Sequence, residues 1–145
     1  MKKFLLLIMI MSFSLFASEE IHNFKYETNF NKAVKKAQNE DKILIVMMSL
    51  STCPVCSYMK DIVFEREEVL NYLQENYVMV INDMDWDDYS PRFKTTSAPT
   101  FFFIDPNTQE ALREKKIGGA KPEKFIQELT DVKVFHQEKI TTLAR

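Results

Sequence analysis

The chain has 145 residues, with 19 Lys and Arg against 21 Asp and Glu and a net charge of −2. That length builds one ordinary domain with a real core rather than several. The near-neutral balance, without a basic cluster interleaved with aromatics, excludes a nucleic-acid-binding protein, and twelve phenylalanines against two glycines suggest a compact domain with short connections.

At the N-terminus, Met1-Lys2-Lys3 precede Phe4 to Phe16, thirteen residues that are apolar apart from Ser12 and Ser14. Ala17-Ser18 then lead into Glu19-Glu20. A basic start, a short apolar core and small residues at its end describe a secretory signal peptide. The apolar run is too short to span a bilayer, which takes about 20 residues. Cleavage is expected after Ala17, giving a signal at 1–17; an uncleaved membrane anchor is the alternative. No cysteine stands near the cleavage point, which argues against a lipoprotein. Cleavage removes Lys2 and Lys3 and leaves 17 basic residues against 21 acidic ones. A short, Lys-rich signal suggests a bacterium, and hence export to the periplasm.

The mature chain divides into a short segment at 18–28, a domain at 29–131 and a tail at 132–145. Phe30, Ala33, Val34 and Ala37 recur at helical spacing, so a helix capped by Asn29 or Asn31 is predicted to end near Glu40. Asp41-Lys42 is the turn into Ile43 to Met48, a continuous apolar run of the kind buried on both faces of a sheet. Val55, Met59, Ile62 and Val63 predict one helix face, and Val69, Leu70 and Leu73 a second helix over 67–76. Val78 to Ile81 is another strand. An acidic loop carrying Trp86 follows at 82–90, with a short helix expected within 91–96. Phe101 to Ile104 is a third strand. Pro106-Asn107 turns it into a return strand over 111–117, Gly118-Gly119 break that strand, and 121–130 close the domain as a helix. The order predicts an α/β domain with a central mixed β-sheet flanked by helices.

Cys53 and Cys56 are the only cysteines, and they bracket Pro54-Val55 between the first strand and the following helix. In an oxidising compartment such a pair can be a structural staple, but closing so small a ring contributes only about 2 kcal/mol. A strand-to-helix junction instead places Cys53 at a helix N-terminus. Idle N–H groups there favour a thiolate and depress the thiol pKa, and Pro54 suits the first helical turn. Cys53 is therefore the expected nucleophile and Cys56, one turn deeper, the resolving thiol of a redox-active disulfide. No basic residue stands between them, which predicts a couple less oxidising than one that has it. Pro99, before a strongly apolar strand, is awkward there for its lost N–H. A cis Ala98–Pro99 bond would explain it and set the Ala98 backbone against the cysteines, to pair with an extended substrate segment.

Taken together, Cys53-Pro54-Val55-Cys56 after a buried strand, Ala98-Pro99-Thr100 before a second, and Ile117-Gly118-Gly119 before the last helix resemble the thioredoxin family. The similarity is greatest to exported thioredoxin-like proteins, including those related to SoxW and to the C-terminal domain of the disulfide reductase DsbD, and covers 29–130. It implies a thioredoxin fold, a cis Pro99, and protein thiols or disulfides as substrates. Three departures stand out. Thr52 replaces the tryptophan that many relatives carry before the first cysteine. Met47 occupies the place of a buried acid that assists proton removal from the second cysteine. Ser97-Ala98 replace the usual β-branched neighbour of the proline.

Other features weigh less. Asp83, Asp85, Asp87 and Asp88 have spacing similar to a calcium loop but lack its glycine and closing glutamate. The methionines, with Cys53, Cys56 and Met59 as soft ligands for Cu(I), read better as core filling, and His22 and His136 suggest no site. No cofactor and no metal are assigned. The reading is therefore a periplasmic thiol–disulfide oxidoreductase that reduces protein disulfides, recharged by a membrane disulfide reductase. The alternatives are a Cu(I)- or Zn-binding module and an interaction protein with an inert disulfide.

Overall fold

The apolar run at 43–48 becomes the central strand, β1 (Ile43–Ser49), and every one of its residues is buried. The computed structural model describes residues 22–145, so the expected signal at 1–17 lies outside the described residues. Strand β2 (Tyr77–Asp83) runs parallel to β1 on one side, and β3 (Thr100–Ile104) runs antiparallel on the other. The two-residue β4 (Lys116–Ile117) closes the edge, giving the order β2-β1-β3-β4. Side chains alternate across a strand. Ile43, Ile45 and Met47 therefore enter one core while Leu44, Val46 and Met48 enter the other.

Helix α1 (Phe30–Glu40) covers the second core with Ala33, Val34 and Ala37. Asn29 caps it, its side-chain oxygen accepting the Lys32 N–H at 3.0 Å; Asp41, at φ 52°, ends it. The first core lies under α2 (Pro54–Tyr58), α3 (Glu67–Asn76) and α4 (Pro122–Leu143), through Cys56, Leu73, Phe125 and Leu129. Phe125 sits between Phe64 and Phe101, with ring centroids 5.6 and 5.4 Å away. The α/β architecture predicted from the sequence is the one observed. Among the described residues, no helix is long and apolar enough to cross a membrane.

The segment before α1 also joins the domain. Glu27 bridges Val80 on the outer edge of β2, and Phe24 enters the first core. Glu65 anchors the same segment, accepting N–H groups from Phe24 and Asn23 at 3.0 Å each and from the Asn23 side chain at 3.2 Å. Burial pushes the Glu65 carboxyl up, but these bonds outweigh it and hold the group below its ordinary range.

Three elements differ from their sequence reading. Beyond α2 the helix widens into a π-helical turn (Met59–Val63), with the Phe64 N–H reaching the Met59 carbonyl. Its buried stripe is Cys56, Met59 and Val63, while Val55 and Ile62 are 45% and 52% exposed. The predicted and observed stripes share Met59 and Val63, so periodicity alone could not choose between them. Burial of Cys56 and Phe64 decides the rotation. The return strand shrinks to Lys116–Ile117 and a single bridge from Ala111 to Ile104. Finally, the closing helix continues through 131–143 as α4, because Val132 adds a further core contact one turn beyond Leu129.

Candidate functional site

The sheet register gathers the expected site residues at one end. Ser49, the last residue of β1, lies opposite Asp83 of β2. Met48 lies opposite Thr100, the first residue of β3, and Thr100 lies opposite Ile117. The segments just beyond these residues therefore emerge at the same end of the sheet: 50–53 after β1, 84–90 after β2, 98–99 before β3 and 118–119 after β4.

Cys53 is the N-cap of α2, with extended backbone (φ −92°, ψ 108°), and Pro54 fills the first helical position. Cys53 is half-buried and Cys56 fully buried. The two are joined as a disulfide with Cα atoms 5.2 Å apart, within the ordinary span of such a bond. The Cys56 N–H donates to Cys53 Sγ at 3.1 Å. This is one of the idle first-turn donors that a sulfur, and still more a thiolate, can use. On the opposite side the Ala98 carbonyl oxygen lies 3.5 Å from Cys53 Sγ.

The Ala98–Pro99 peptide is cis. Its loop is tied down by the Thr95 and Thr100 side chains, to which the sequence assigned no role. The Thr100 hydroxyl donates to the Ser97 carbonyl at 2.6 Å and lies 3.2 Å from the Thr95 hydroxyl. The Pro99 carbonyl accepts the Gly118 N–H at 2.8 Å. Gly119, read from sequence as a strand breaker and as part of the motif before the last helix, is a close-approach position. A Cβ built there would lie 2.6 Å from Val55 Cγ1, between the two cysteines. Nothing in the local sequence signals that contact, since it joins residues far apart in the chain.

Met47 is fully buried in the same core as Cys56. The place where the resemblance expects an acid therefore holds a thioether. Reduced Cys53 and Cys56 are the thiols that a soft metal would use; the Sδ of the third candidate, Met59, already accepts the Ala120 N–H at 3.3 Å. Among the described residues no group of three or more His, Cys, Asp or Glu side chains is placed to hold a metal ion. The acidic loop spends carboxylates on its own backbone. Asp87 accepts the Asp83 N–H at 2.6 Å and Asp83 the Asp85 N–H at 2.9 Å, which leaves Trp86 80% exposed. His22 lies near Asp61 and Glu65, and His136 near Asp105, both apart from the cysteines.

Comparison with known proteins agrees with this geometry. The model of the thioredoxin-like domain matches residues 30–133. Thioredoxin H4-2 of Oryza sativa subsp. japonica is 27% identical over 118 residues, covering 80% of this chain and 85% of its own. A thioredoxin from Thermus thermophilus superposes with a TM-score of 0.64 at 22% identity, over 77% of this chain and 88% of its own. The C-terminal domain of Neisseria meningitidis DsbD, in its oxidised form, gives 0.57 at 14% identity, over 74% of this chain and 98% of its own. The two superpositions show the thioredoxin fold.

Proposed function

Because the chain belongs to the thioredoxin-like family, we propose that it is an exported thiol–disulfide oxidoreductase that reduces protein disulfides through Cys53 and Cys56. One observation carries the reading. A half-buried sulfur caps a helix and accepts an N–H, and its disulfide partner is buried one turn below. That asymmetry supports attack by Cys53 and resolution by Cys56.

The steps follow from thiol chemistry. The Cys53 thiolate attacks one sulfur of a substrate disulfide, forming a mixed disulfide and releasing the other substrate sulfur as a thiolate. Cys56, losing its proton to water because Met47 offers no carboxylate, attacks Cys53 Sγ. The Cys53–Cys56 disulfide forms and the second substrate thiolate leaves, taking up a proton from water. The substrate gains two electrons and the pair loses two. A dithiol donor must then re-reduce the pair; in an oxidising compartment a membrane disulfide reductase is the fitting source. The reducing direction is favoured by Pro54-Val55, which place no positive charge beside the thiolate. Export rests on the pattern of residues 1–17, and cell fractionation tests it.

The decisive experiment equilibrates the purified protein with glutathione redox buffers and traps partners in cells with Cys56→Ser. The expected result is a reversible dithiol–disulfide couple and mixed disulfides through Cys53. Absence of trapped partners, with stoichiometric metal retained after purification, would replace this reading with a metal-binding module. A disulfide that never exchanges would leave an inert interaction protein.

A further inference from the structure

Lys116 opens β4 opposite Phe101, whose side chain lies in the first core. Cross-strand neighbours share a face, so Lys116 turns inward. Its Nζ sits 5.7 Å from the Phe101 ring centroid, and the side chain is only 12% exposed. A lysine is almost never so covered unless its charge is met. Here the ammonium donates to the carbonyls of Gly118 at 2.7 Å and Gly119 at 3.3 Å, with Glu128 Oε2 3.7 Å away. That carboxylate oxygen is buried and has no hydrogen-bond partner among the described residues.

The turn that Lys116 grips is the one that frames the cysteines. The Gly118 N–H holds the Pro99 carbonyl, Gly119 leaves no room for a Cβ beside Val55, and the Ala120 N–H meets Met59 Sδ. One ammonium thus fixes two successive carbonyls of a segment that touches both the cis-proline loop and Val55, one of the two residues between the cysteines. A lysine kept only to neutralise Glu128 would not need those two carbonyls.

We propose that Lys116 is a positioning residue, holding the Gly118-Gly119 turn as the wall against which a protein disulfide docks beside Cys53. Glu128 is the counter-charge that lets the ammonium remain inside. The inference rests on the proposed reductase activity and adds to it a residue that decides how well large substrates are met. A small disulfide reaches Cys53 without touching the wall, so the two substrate sizes separate positioning from chemistry.

The test measures second-order rate constants of the reduced protein with insulin and with hydroxyethyl disulfide, alongside thermal unfolding. Lys116→Met should slow the insulin reaction about tenfold, short of the roughly 10²-fold that a 1 Å misplacement can cost, and leave the hydroxyethyl disulfide reaction within about twofold. It should also lower Tm, because Glu128 loses its partner. The double variant Lys116→Met/Glu128→Gln should recover Tm while the insulin reaction stays slow. Recovery of the insulin rate in the double variant would reduce Lys116 to a charge partner and overturn the proposal. Equal losses on both substrates, or no loss with Lys116→Met, would overturn it as well. A wild-type protein that reduces neither substrate would instead overturn the proposed function.

Discussion

Adding one methyl group at Gly119 tests how tightly the last turn is pressed against the cysteine motif. The new Cβ would lie 2.6 Å from Val55 Cγ1 and 3.4 Å from Met59 Sδ. Carbon atoms in contact prefer about 3.5–4.0 Å, so roughly 1 Å of relief is needed. Met59 Sδ, at 3.4 Å, stands at ordinary contact, so the relief falls on Val55, which is 45% exposed and can move outward. Overpacking of this kind costs about 1–3 kcal/mol. Alanine recovers about 0.4–1 kcal/mol by restricting the unfolded chain, since Gly118 is the glycine at positive φ here and Gly119 is not. Gly119→Ala is therefore expected to lose about 1.3 kcal/mol, and at most about 2.6, read from the urea midpoint at constant slope. Val55→Ala removes the opposing methyl, so the double variant should regain most of that loss, with a coupling energy of about 1–2 kcal/mol. A double variant no more stable than the sum of the singles would refute the contact.

Two further outcomes concern the ends of the domain. Glu65 has its pKa lowered by bonds from Asn23 and Phe24, so its contribution is complete above the unfolded value near about 4.3 and fades as pH falls through the folded value. Glu65→Gln should cost about 1 kcal/mol at neutral pH, and its gap from the wild type in urea unfolding should close as the medium is acidified; a gap independent of pH would exclude the mechanism. Ending the chain at Asp131 removes Val132, which is 1% exposed, together with the Lys139–Glu110 pair at 3.4 Å. A loss of about 1.5–3 kcal/mol follows from the buried valine, and an unchanged urea midpoint would show that the end of α4 carries no load.

Much of the fold was legible because local pattern and burial agree. Ile43 to Met48 reads as a two-faced strand, and Asn29 with Ala33, Val34 and Ala37 reads as a capped helix; both lie where expected. Reading failed where two local solutions were equally good. Val55-Met59-Ile62-Val63 and Cys56-Met59-Val63 are both apolar stripes, and only the burial of Cys56 and Phe64 selects the second. The stretch 131–143 has apolar residues on several sides, with Val134, Phe135, Ile140 and Leu143 exposed and Val132 buried, so no single stripe announced its helix.

The cysteine pair followed from sequence alone. Two cysteines bracket a proline and a valine between a strand and a helix, and that junction dictates a capping sulfur with a partner one turn deeper. The sequence also raised the question of Pro99, because a residue without an N–H stood before an apolar strand. What the tertiary structure decided is what surrounds the pair. Register sets Met48 against Thr100 and Thr100 against Ile117, and that alignment brings Ala98 to Cys53 and Gly119 to Val55. No local rule encodes it, because the contacts join residues some 45 to 65 positions apart. They exist only once the strands have paired.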